Sequence, residues 1–298
     1  MNRDDFGQLL AALRYDLGWT QAQLAEAADV DIAVISQIER GVKRFFEPEL
    51  LFSLINALQL TSVERIEFIL AASGLDKAQM VRQPTVSMAT DAFNASKVLD
   101  KLVKVVGDLR LPAFIIDSYG DFVAVNLIVL GLYQISPSVI ETASNTPGGY
   151  NAIRVNFNRE LISRSQIADN WDQYAINSIR TFREISLGSR SKPYFKYLMK
   201  AFSNSSEYPF FQRYWTMLSS SEQDRDASID YFEYTHRAFG PLKYIASSMT
   251  TTVTSFGELH LYQYSPYDEP TDEVFKMLLK QAGTGVVRLA PWPEKPIP

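Results

Sequence analysis

The chain has 298 residues and no cysteine. The absence of cysteine excludes disulfides, thiolate metal sites, cysteine nucleophiles and redox switching by cysteine. Histidine is almost as scarce, since only His236 and His260 occur. Two histidines are too few for most zinc sites and give little basis for a histidine-based triad. We therefore expect no catalytic residue, no metal ligand and no resident cofactor.

The sequence also lacks long hydrophobic runs. No stretch approaches the roughly 18 apolar residues that suggest a transmembrane helix, and the first residues carry acids where a signal peptide would be basic. With 46% hydrophobic and 12% aromatic residues, the composition is that of a globular protein. These features predict a cytoplasmic protein of about two domains, without membrane insertion.

The negative charge is concentrated near the amino terminus. Residues 1–75 contain 6 basic and 11 acidic side chains, whereas the rest of the chain holds 23 of each. The net charge of −5 therefore belongs entirely to this first part. Any contact that it makes with an anionic partner must depend on a local positive surface.

Residues 1–75 are predicted to form a bundle of five short helices. Thr20 and Thr61, with Gln23 and Glu64 three residues later, form capping boxes for the second and fifth helices. Asp31 can cap the third helix. Residues at helical spacing are expected to form the core: Phe6, Leu9, Leu10, Leu13, Leu17, Leu24, Ala27, Ile35, Ile38, Leu51, Leu54, Ile55, Leu58, Ile66, Ile69 and Leu70.

The segment TQAQLAEAADVDIAVISQIERG, from Thr20 to Gly41, resembles the helix-turn-helix of Cro and phage repressors, the XRE family. The resemblance implies a lambda-repressor-like domain that binds double-stranded DNA and places its third helix in the major groove. The implied base contacts are Ile32, Ala33, Ser36 and Gln37. The implied backbone contacts are Gln21, Arg40, Lys43 and Arg44. A head of this kind binds weakly alone, so this interpretation requires a homodimer.

Residues 76–109 are predicted to be a linker and a connecting helix. The segment 75–90 contains Pro84 and no hydrophobic period, and a helix is expected from Thr90. Val98, Leu102, Val105 and Leu109 form a stripe near heptad spacing. This stripe either packs on its own domain or forms a dimer seam.

The period changes after residue 110. Residues 111–126 read as a hairpin with a turn at Ser118–Gly120, residues 158–218 as helical and rich in aromatics, and residues 242–265 as three further strands. The predicted fold is therefore α + α/β: the helical bundle followed by a PAS-like domain over 110–283, with a five-stranded antiparallel sheet and a helical insert. The proline-rich end, 284–298, is expected to be a flexible or extended tail.

Landmarks of this second domain resemble, in order, the ligand-binding domain of MmyB-like transcription regulators. They are Pro112, Ala113, Asp117, Asp121, Asn126, Trp171, Arg183, Phe211, Trp215, His236, Gly240 and Leu242. Val125 and Arg237 depart from that pattern, which leaves the identity of the ligand open. The resemblance implies a small apolar ligand, for at least one member a long-chain fatty acid, and so a bound fatty acid here.

The candidate ligand-binding residues are Asn126, Trp171, Arg180, Arg183, Phe211, Trp215 and His236. Arg180 or Arg183 would pair with a ligand carboxylate, with His236 behind them. The alternatives are structural: the aromatics would form an ordinary core, Arg183 would pair with Glu184, Asp169 or Asp172, and His236 would be a hydrogen-bonded structural residue. His260 is expected to face solvent or the neighbouring strand.

Together these features predict a ligand-responsive, sequence-specific DNA-binding transcription regulator. In this interpretation a ligand shifts the packing of the sensor, and the connecting helix changes the spacing of two heads. The first alternative is a regulator whose acidic head binds a protein partner such as polymerase or a sigma factor. An enzyme that uses the sensor pocket is a second alternative, although no sequence pattern shows a catalytic group.

Overall fold

The computed structural model describes residues 3–75, 92–146, 148–159, 161, 171–218, 231–254 and 256–297. Within these residues, no helix is both long and apolar enough to cross a membrane. Residues 76–91 lie outside the described residues; they include most of the predicted linker segment 75–90 and the predicted helix start at Thr90. The first 75 residues are called the head below, and the residues from 92 onward the sensor.

The head is a five-helix bundle, as predicted. Its helices are Arg3–Asp16 (α1), Gln21–Ala27 (α2), Ile32–Glu39 (α3), Pro48–Ala57 (α4) and Ser62–Ser73 (α5). Side-chain caps fix where α2 and α3 begin, because Thr20 Oγ1 accepts from Gln23 N at 3.2 Å and Asp31 Oδ1 from Ala33 N at 2.7 Å. Both predicted capping boxes are present.

Part of the predicted head core is wrong. Ile66 is 62% exposed and Ala27 is exposed, while Phe68 and Ala25 are buried in their place. On α5 the buried face is shared by Phe68 and Glu64, and Glu64 is fully buried. An ionisable residue therefore takes a core position that hydrophobic spacing assigned to isoleucine.

The sensor contains an antiparallel sheet of six strands, where five were expected. The strands are Ala113–Asp117 (β1), Phe122–Asn126 (β2), Phe232–His236 (β3), Gly240–Thr254 (β4), Gly257–Pro266 (β5) and Val286–Arg288 (β6), in the order β3-β4-β5-β1-β2-β6. Residues 242–265 hold parts of two strands and not three. The polar run near Ser248 does not end β4, because a register shift between Ser248 and Thr250 absorbs it.

The predicted tail is packed against the sheet. Val286–Arg288 pairs with β2, and Ala290 N continues this pairing with a hydrogen bond of 2.9 Å to Phe122 O. Further along, the side chain of Lys295 is only 6% exposed. Residues 284–297 are thus a structural part of the sensor, although the composition of this segment suggested a flexible or extended tail.

Helix α6, Ala92–Asp108, covers one face of the sheet. Its buried residues include Leu99, Val103 and Val106, which pack with Ala113 and Ile115 of β1. The predicted stripe lies beside this face: Val105 is 47% exposed, and Val98, Leu102 and Leu109 are half-buried. The helix therefore packs on its own domain, the first of the two roles considered for it.

Further helices complete the described part of the sensor, and the first and last of them pack against the opposite face of the sheet. They are Leu127–Leu132 (α7), Pro137–Ser144 (α8), Ala152–Phe157 (α9), Trp171–Ser186 (α10), Pro193–Phe202 (α11), Phe211–Leu218 (α12) and Glu269–Ala282 (α13), and a short 3₁₀ helix, Leu187–Ser189, follows α10. Helices α9 to α12 form an apolar layer, here called the aromatic cluster, around Trp171, Phe182, Phe195, Phe211 and Trp215.

Two adjacent valines on α6 test which face of this helix is buried. Val106→Ala should lower the free energy of unfolding by about 2 kcal/mol, because Val106 is fully buried and truncation leaves a cavity. Val105→Ala is the matched control and should change stability by less than about 0.5 kcal/mol. Urea unfolding measures both. Equal losses for the two variants would contradict the packing described.

Candidate DNA-binding surface and head–sensor contact

The predicted recognition helix α3 presents an exposed face. Ile35 and Ile38 are buried in the head core, whereas Ile32 is 48% exposed and Ala33 and Gln37 are exposed. Ser36 is half-buried on the same side. The four residues predicted to contact bases therefore lie on one side of a helix whose opposite side is anchored in the bundle.

Three cations follow this face at the end of α3. The Nε of Arg40 donates to Ser36 O at 3.1 Å, and that of Arg44 donates to Gly41 O at 3.4 Å. Lys43 is half-buried and forms an ion pair of 3.3 Å with Glu47. Pairs at the surface contribute little energy, so Lys43 can exchange this contact for a phosphate.

Gln21 is placed differently from its predicted role. Its amide donates to Glu39 Oε2 at 2.7 Å, and Arg14 binds the same carboxylate through Nε and Nη2 at 2.7 and 2.9 Å. Gln21 therefore ties α2 to α3, and a phosphate contact would compete with this bond. The same network neutralises Glu39, an acid of the recognition helix itself.

The aromatic cluster brings several predicted ligand residues together. Phe211 and Trp215 stack with their ring centroids 5.6 Å apart, and Phe157 contacts both Trp171 and Phe211. Trp171, Phe211 and Trp215 are each at most 6% exposed. Arg183 lies over the Trp215 ring, with Cζ 5.7 Å from its centroid. A cation thus lies at the edge of an apolar layer.

Arg183 binds a carboxylate of the head. Its Nε and Nη2 donate to Glu64 Oε1 and Oε2 at 3.2 and 3.1 Å. Arg183 therefore forms a salt bridge with Glu64 of α5, a partner that the sequence did not suggest. Asp169 lies outside the described residues. Both side chains are nearly inaccessible, with exposures of 3% for Arg183 and 0% for Glu64.

Arg190 completes this contact, and sequence reasoning missed it. Its Nη2 donates to Glu64 Oε1 at 2.7 Å and its Nη1 to Asp16 Oδ2 at 2.7 Å. Asp16, Glu64, Arg183 and Arg190 are called the ionic cluster below. Two carboxylates of the head thus balance two guanidinium groups of the sensor. Leu187 of the short 3₁₀ helix adds an apolar contact, since it belongs to the head core.

The remaining predicted ligand residues do not join this arrangement. Asn126 uses both ends of its amide on the backbone, accepting from Ala113 N and Val129 N and donating to Leu111 O. Arg180 is buried and its Nη1 donates to Asn177 Oδ1 at 3.2 Å.

His236 lies in the turn between β3 and β4, not behind the arginines. Its Nδ1 accepts from Ala238 N and Phe239 N at 3.0 and 3.3 Å. Burial lowers the pKa of His236. The structural alternative for this residue therefore fits the geometry better than ligand contact. His260 lies within the sheet, where its Nδ1 is 3.0 Å from the hydroxyl of Thr251 on the neighbouring strand.

A group of tyrosine hydroxyls on the face of the sheet opposite α6 was also not predicted from the sequence. The Tyr133 hydroxyl lies 2.9 Å from that of Tyr244 and 3.1 Å from that of Tyr264. Burial raises the pKa of Tyr264 to about 12 and that of the other two well above the usual value. These groups therefore stay neutral and can offer hydrogen bonds to a polar ligand group in apolar surroundings.

A helix-turn-helix head joined to a sensor with a PAS-like order of strands defines a two-domain regulator of transcription. Residues 5–68 match the family model described as a helix-turn-helix domain. Residues 98–278 match the MmyB-like transcription regulator ligand binding domain, so the chain belongs to the MmyB-like transcription regulators. The search of curated proteins found no match. Both families are regulator domains and not enzymes, and together they make the chain a ligand-responsive DNA-binding regulator.

Substituting Glu64 tests the ionic cluster. Burial alone would raise the pKa of Glu64, but Arg190 and Arg183 outweigh burial and lower it. Glu64→Gln should cost about 3 kcal/mol at neutral pH, because it leaves two buried guanidinium groups without their shared carboxylate. Since a lowered carboxyl pKa stabilises above the usual value of 4.5, the difference from wild type should shrink as pH falls below it.

Glu67→Gln is the matched control, one turn along α5 and half-buried. It should change the free energy of unfolding by less than about 1 kcal/mol. Chemical unfolding at several pH values measures both variants. A pH-independent cost for Glu64→Gln would show that the charge of Glu64 does not stabilise the contact.

Proposed function

We propose that the regulator binds DNA as a homodimer through the exposed face of α3, and that its sensor binds an amphipathic carboxylate of the fatty-acid class. The observation that carries the first part is the pairing of an exposed recognition face with Arg40, Lys43 and Arg44, while three other acids of the head are engaged elsewhere. Asp31 caps α3, Glu39 binds Arg14, and Glu64 binds sensor arginines.

In this proposal Ile32, Ala33, Ser36 and Gln37 contact base edges. Arg40, Lys43 and Arg44 contact phosphates, as does Gln21 once it leaves Glu39. Affinity for duplex DNA is dominated by phosphate neutralisation, and two of the five excess negative charges of the head are matched by Arg183 and Arg190. Docking on the sensor thus reduces the repulsion that an isolated acidic head would meet.

Dimerisation follows from the small number of cations on one head. Non-specific binding by one head is expected at roughly 10⁻⁴ to 10⁻⁶ M, and joining two heads gains about 10² to 10⁴. Two heads held about 34 Å apart would match successive half-sites on one side of the duplex. Because each head is tied to its sensor by buried charges, the sensors would set this spacing.

Charge reversal at Arg44 tests the DNA-binding surface. Arg44→Glu should lower duplex affinity at least tenfold and reduce the dependence of affinity on salt, because a phosphate contact is replaced by repulsion. Lys196→Glu makes the same charge change on an exposed position of α11, far along the chain, and should have little effect. Fluorescence anisotropy at 50 to 200 mM salt measures both.

Unfolding midpoints should be unchanged in both variants, since neither side chain is buried. Equal duplex affinity of the two variants would remove α3 and its cations from the interface. If the head instead bound a protein partner with an affinity that depends little on salt, the alternative of a protein-binding head would be favoured.

The proposed ligand site is the aromatic cluster around Trp171, Phe211 and Trp215, with Arg183 as the partner of the ligand carboxylate. About 12 buried methylenes at about 0.8 kcal/mol each would gain roughly 10 kcal/mol, from which immobilisation takes several. Micromolar affinity would remain. A cation at the edge of an apolar layer is the chemistry that an amphipathic carboxylate needs.

This site also supplies a route from ligand to head. Arg183 is bound to Glu64, so a ligand carboxylate at Arg183 would compete with Glu64 for the same guanidinium. The exchange keeps the buried guanidinium pair neutralised, while Glu64 moves into water with α5. Ligand binding and head docking would then be competing states of one equilibrium. The connecting helix, α6, packs on the sheet. This route therefore does not require α6 to move the two heads.

Lipid uptake tests the ligand class. Denaturing mass spectrometry of organic extracts should reveal a lipid that co-purifies with the full chain. After delipidation the chain should bind tetradecanoate with micromolar affinity, and Trp215→Ala should weaken binding at least tenfold because it removes part of the apolar layer. Trp292→Ala, on the other face of the sheet beside α6, is the matched control. Absence of lipid in the extract together with absence of uptake would refute the fatty-acid class.

A further inference from the structure

A second buried ionic group lies at the turn between β1 and β2. The ammonium of Lys295 lies 2.5 Å from Asp117 Oδ2 and 2.8 Å from Asp121 Oδ2, and the three side chains are at most 6% exposed. The same ammonium lies over two rings, 5.9 Å from the centroid of Tyr119 and 5.5 Å from that of Tyr194. Two carboxylates and two aromatic faces therefore surround one cation; they are called the ammonium cage below.

The walls of the cage are held by bonds that do not involve Lys295. Asp117 Oδ1 accepts from Tyr119 N and Asp121 N at 2.9 and 3.1 Å. Asp121 accepts from Asn151 Nδ2 at 2.8 Å and from the Tyr194 hydroxyl at 2.8 Å. The carboxylate oxygens that face the ammonium are therefore fixed by the sensor itself.

The chemistry of the cage suits an alkylammonium ion. Aromatic faces attract organic cations, and an ammonium can donate to both aspartates. A small divalent metal would require about six oxygen ligands, and the described part of the chain holds no cluster of metal-ligating residues. Two carboxylates against one ammonium also leave an excess negative charge, and burial raises the pKa of Asp117 to about 6 despite Lys295.

Lys295 reaches the cage from a segment with few other anchors. The backbone pairing with β2 extends to Ala290, and beyond it Trp292 packs partly against the α6 side of the sheet. Pro291, Glu294, Pro296 and Ile297 are exposed. Departure of this segment would thus break the Lys295 and Trp292 contacts and leave the cage walls in place.

We propose that the ammonium cage is a binding site for primary alkylammonium ligands, and that Lys295 is its tethered occupant. A tether of this length holds its group at an effective concentration of about millimolar. A free amine takes the site when its concentration exceeds that value. A lower concentration is enough when the amine makes additional contacts. Tyr119 also lines a cleft of about 450 Å³ between the sensor and Leu9 and Leu70 of the head. A change of occupant in the cage can therefore affect the head–sensor contact.

Chemical rescue tests this proposal. Lys295→Ala removes a propylammonium equivalent, and should lower the midpoint of thermal unfolding by about 5 °C because two buried carboxylates lose their cation. Propylammonium at about 10 mM should restore the midpoint and bind with millimolar affinity by calorimetry. Asp121→Asn in the same background should weaken that binding at least tenfold. Propanol and tetramethylammonium should not restore the midpoint.

Lys276→Ala is the matched control, because Lys276 pairs with Asp272 and Glu273 in an exposed position. Propylammonium should not bind there. Failure of propylammonium to bind a folded Lys295→Ala chain, or equal restoration by propanol, would overturn the proposal.

The wild-type chain gives a second measurement that does not depend on the folding of a variant. Propylammonium well above the millimolar range should change the emission of Trp292, assigned by comparison with Trp292→Phe. Tetramethylammonium at the same ionic strength should not. An unchanged Trp292 emission would show that Lys295 cannot be replaced.

Discussion

The structure depends most on one buried carboxylate. Glu64 belongs to the head, yet its charge is balanced by Arg183 and Arg190 of the sensor, and it also accepts the backbone amide of Thr61 in the capping box of α5. A buried carboxylate without partners is costly, and so are two buried guanidinium groups. Neither side of the contact is satisfied alone. These charges therefore tie α5 of the head to the sensor.

The parts of the fold that the sequence predicts well are those decided over a few residues. The capping boxes at Thr20 and Thr61 and the cap at Asp31 form because donor and acceptor are neighbours in the chain. The partner of Arg183 could not be predicted in this way, since Glu64 is 119 residues distant. The capping box already explained why a glutamate stands at position 64, so nothing in the sequence indicated a second role for Glu64.

The choice of the buried face of α6 and the packing of the carboxyl-terminal segment were difficult to predict for a related reason. A helix with apolar residues at 98, 99, 102, 103, 105 and 106 offers two adjacent faces, and only the position of the sheet selects the one that contains Val106. The three residues of β6 are too few to show a period. The partners of Lys295 lie far upstream, at the β1–β2 turn. The prediction for the carboxyl-terminal segment therefore depended on its proline content alone.

The ionic cluster and the ammonium cage meet at the short helix after α10. Leu187 lies in the head core, and the neighbouring Ser189 lines a cleft together with Tyr119 of the cage. Both Tyr119 and Leu187 line the same cleft between sensor and head. Because packed interfaces shift between discrete arrangements and do not deform continuously, the proposed exchange of a charged partner at either cluster would act on this short helix. In that proposal the sensor would affect how the head is held through charge exchange alone, without rearrangement of the sheet.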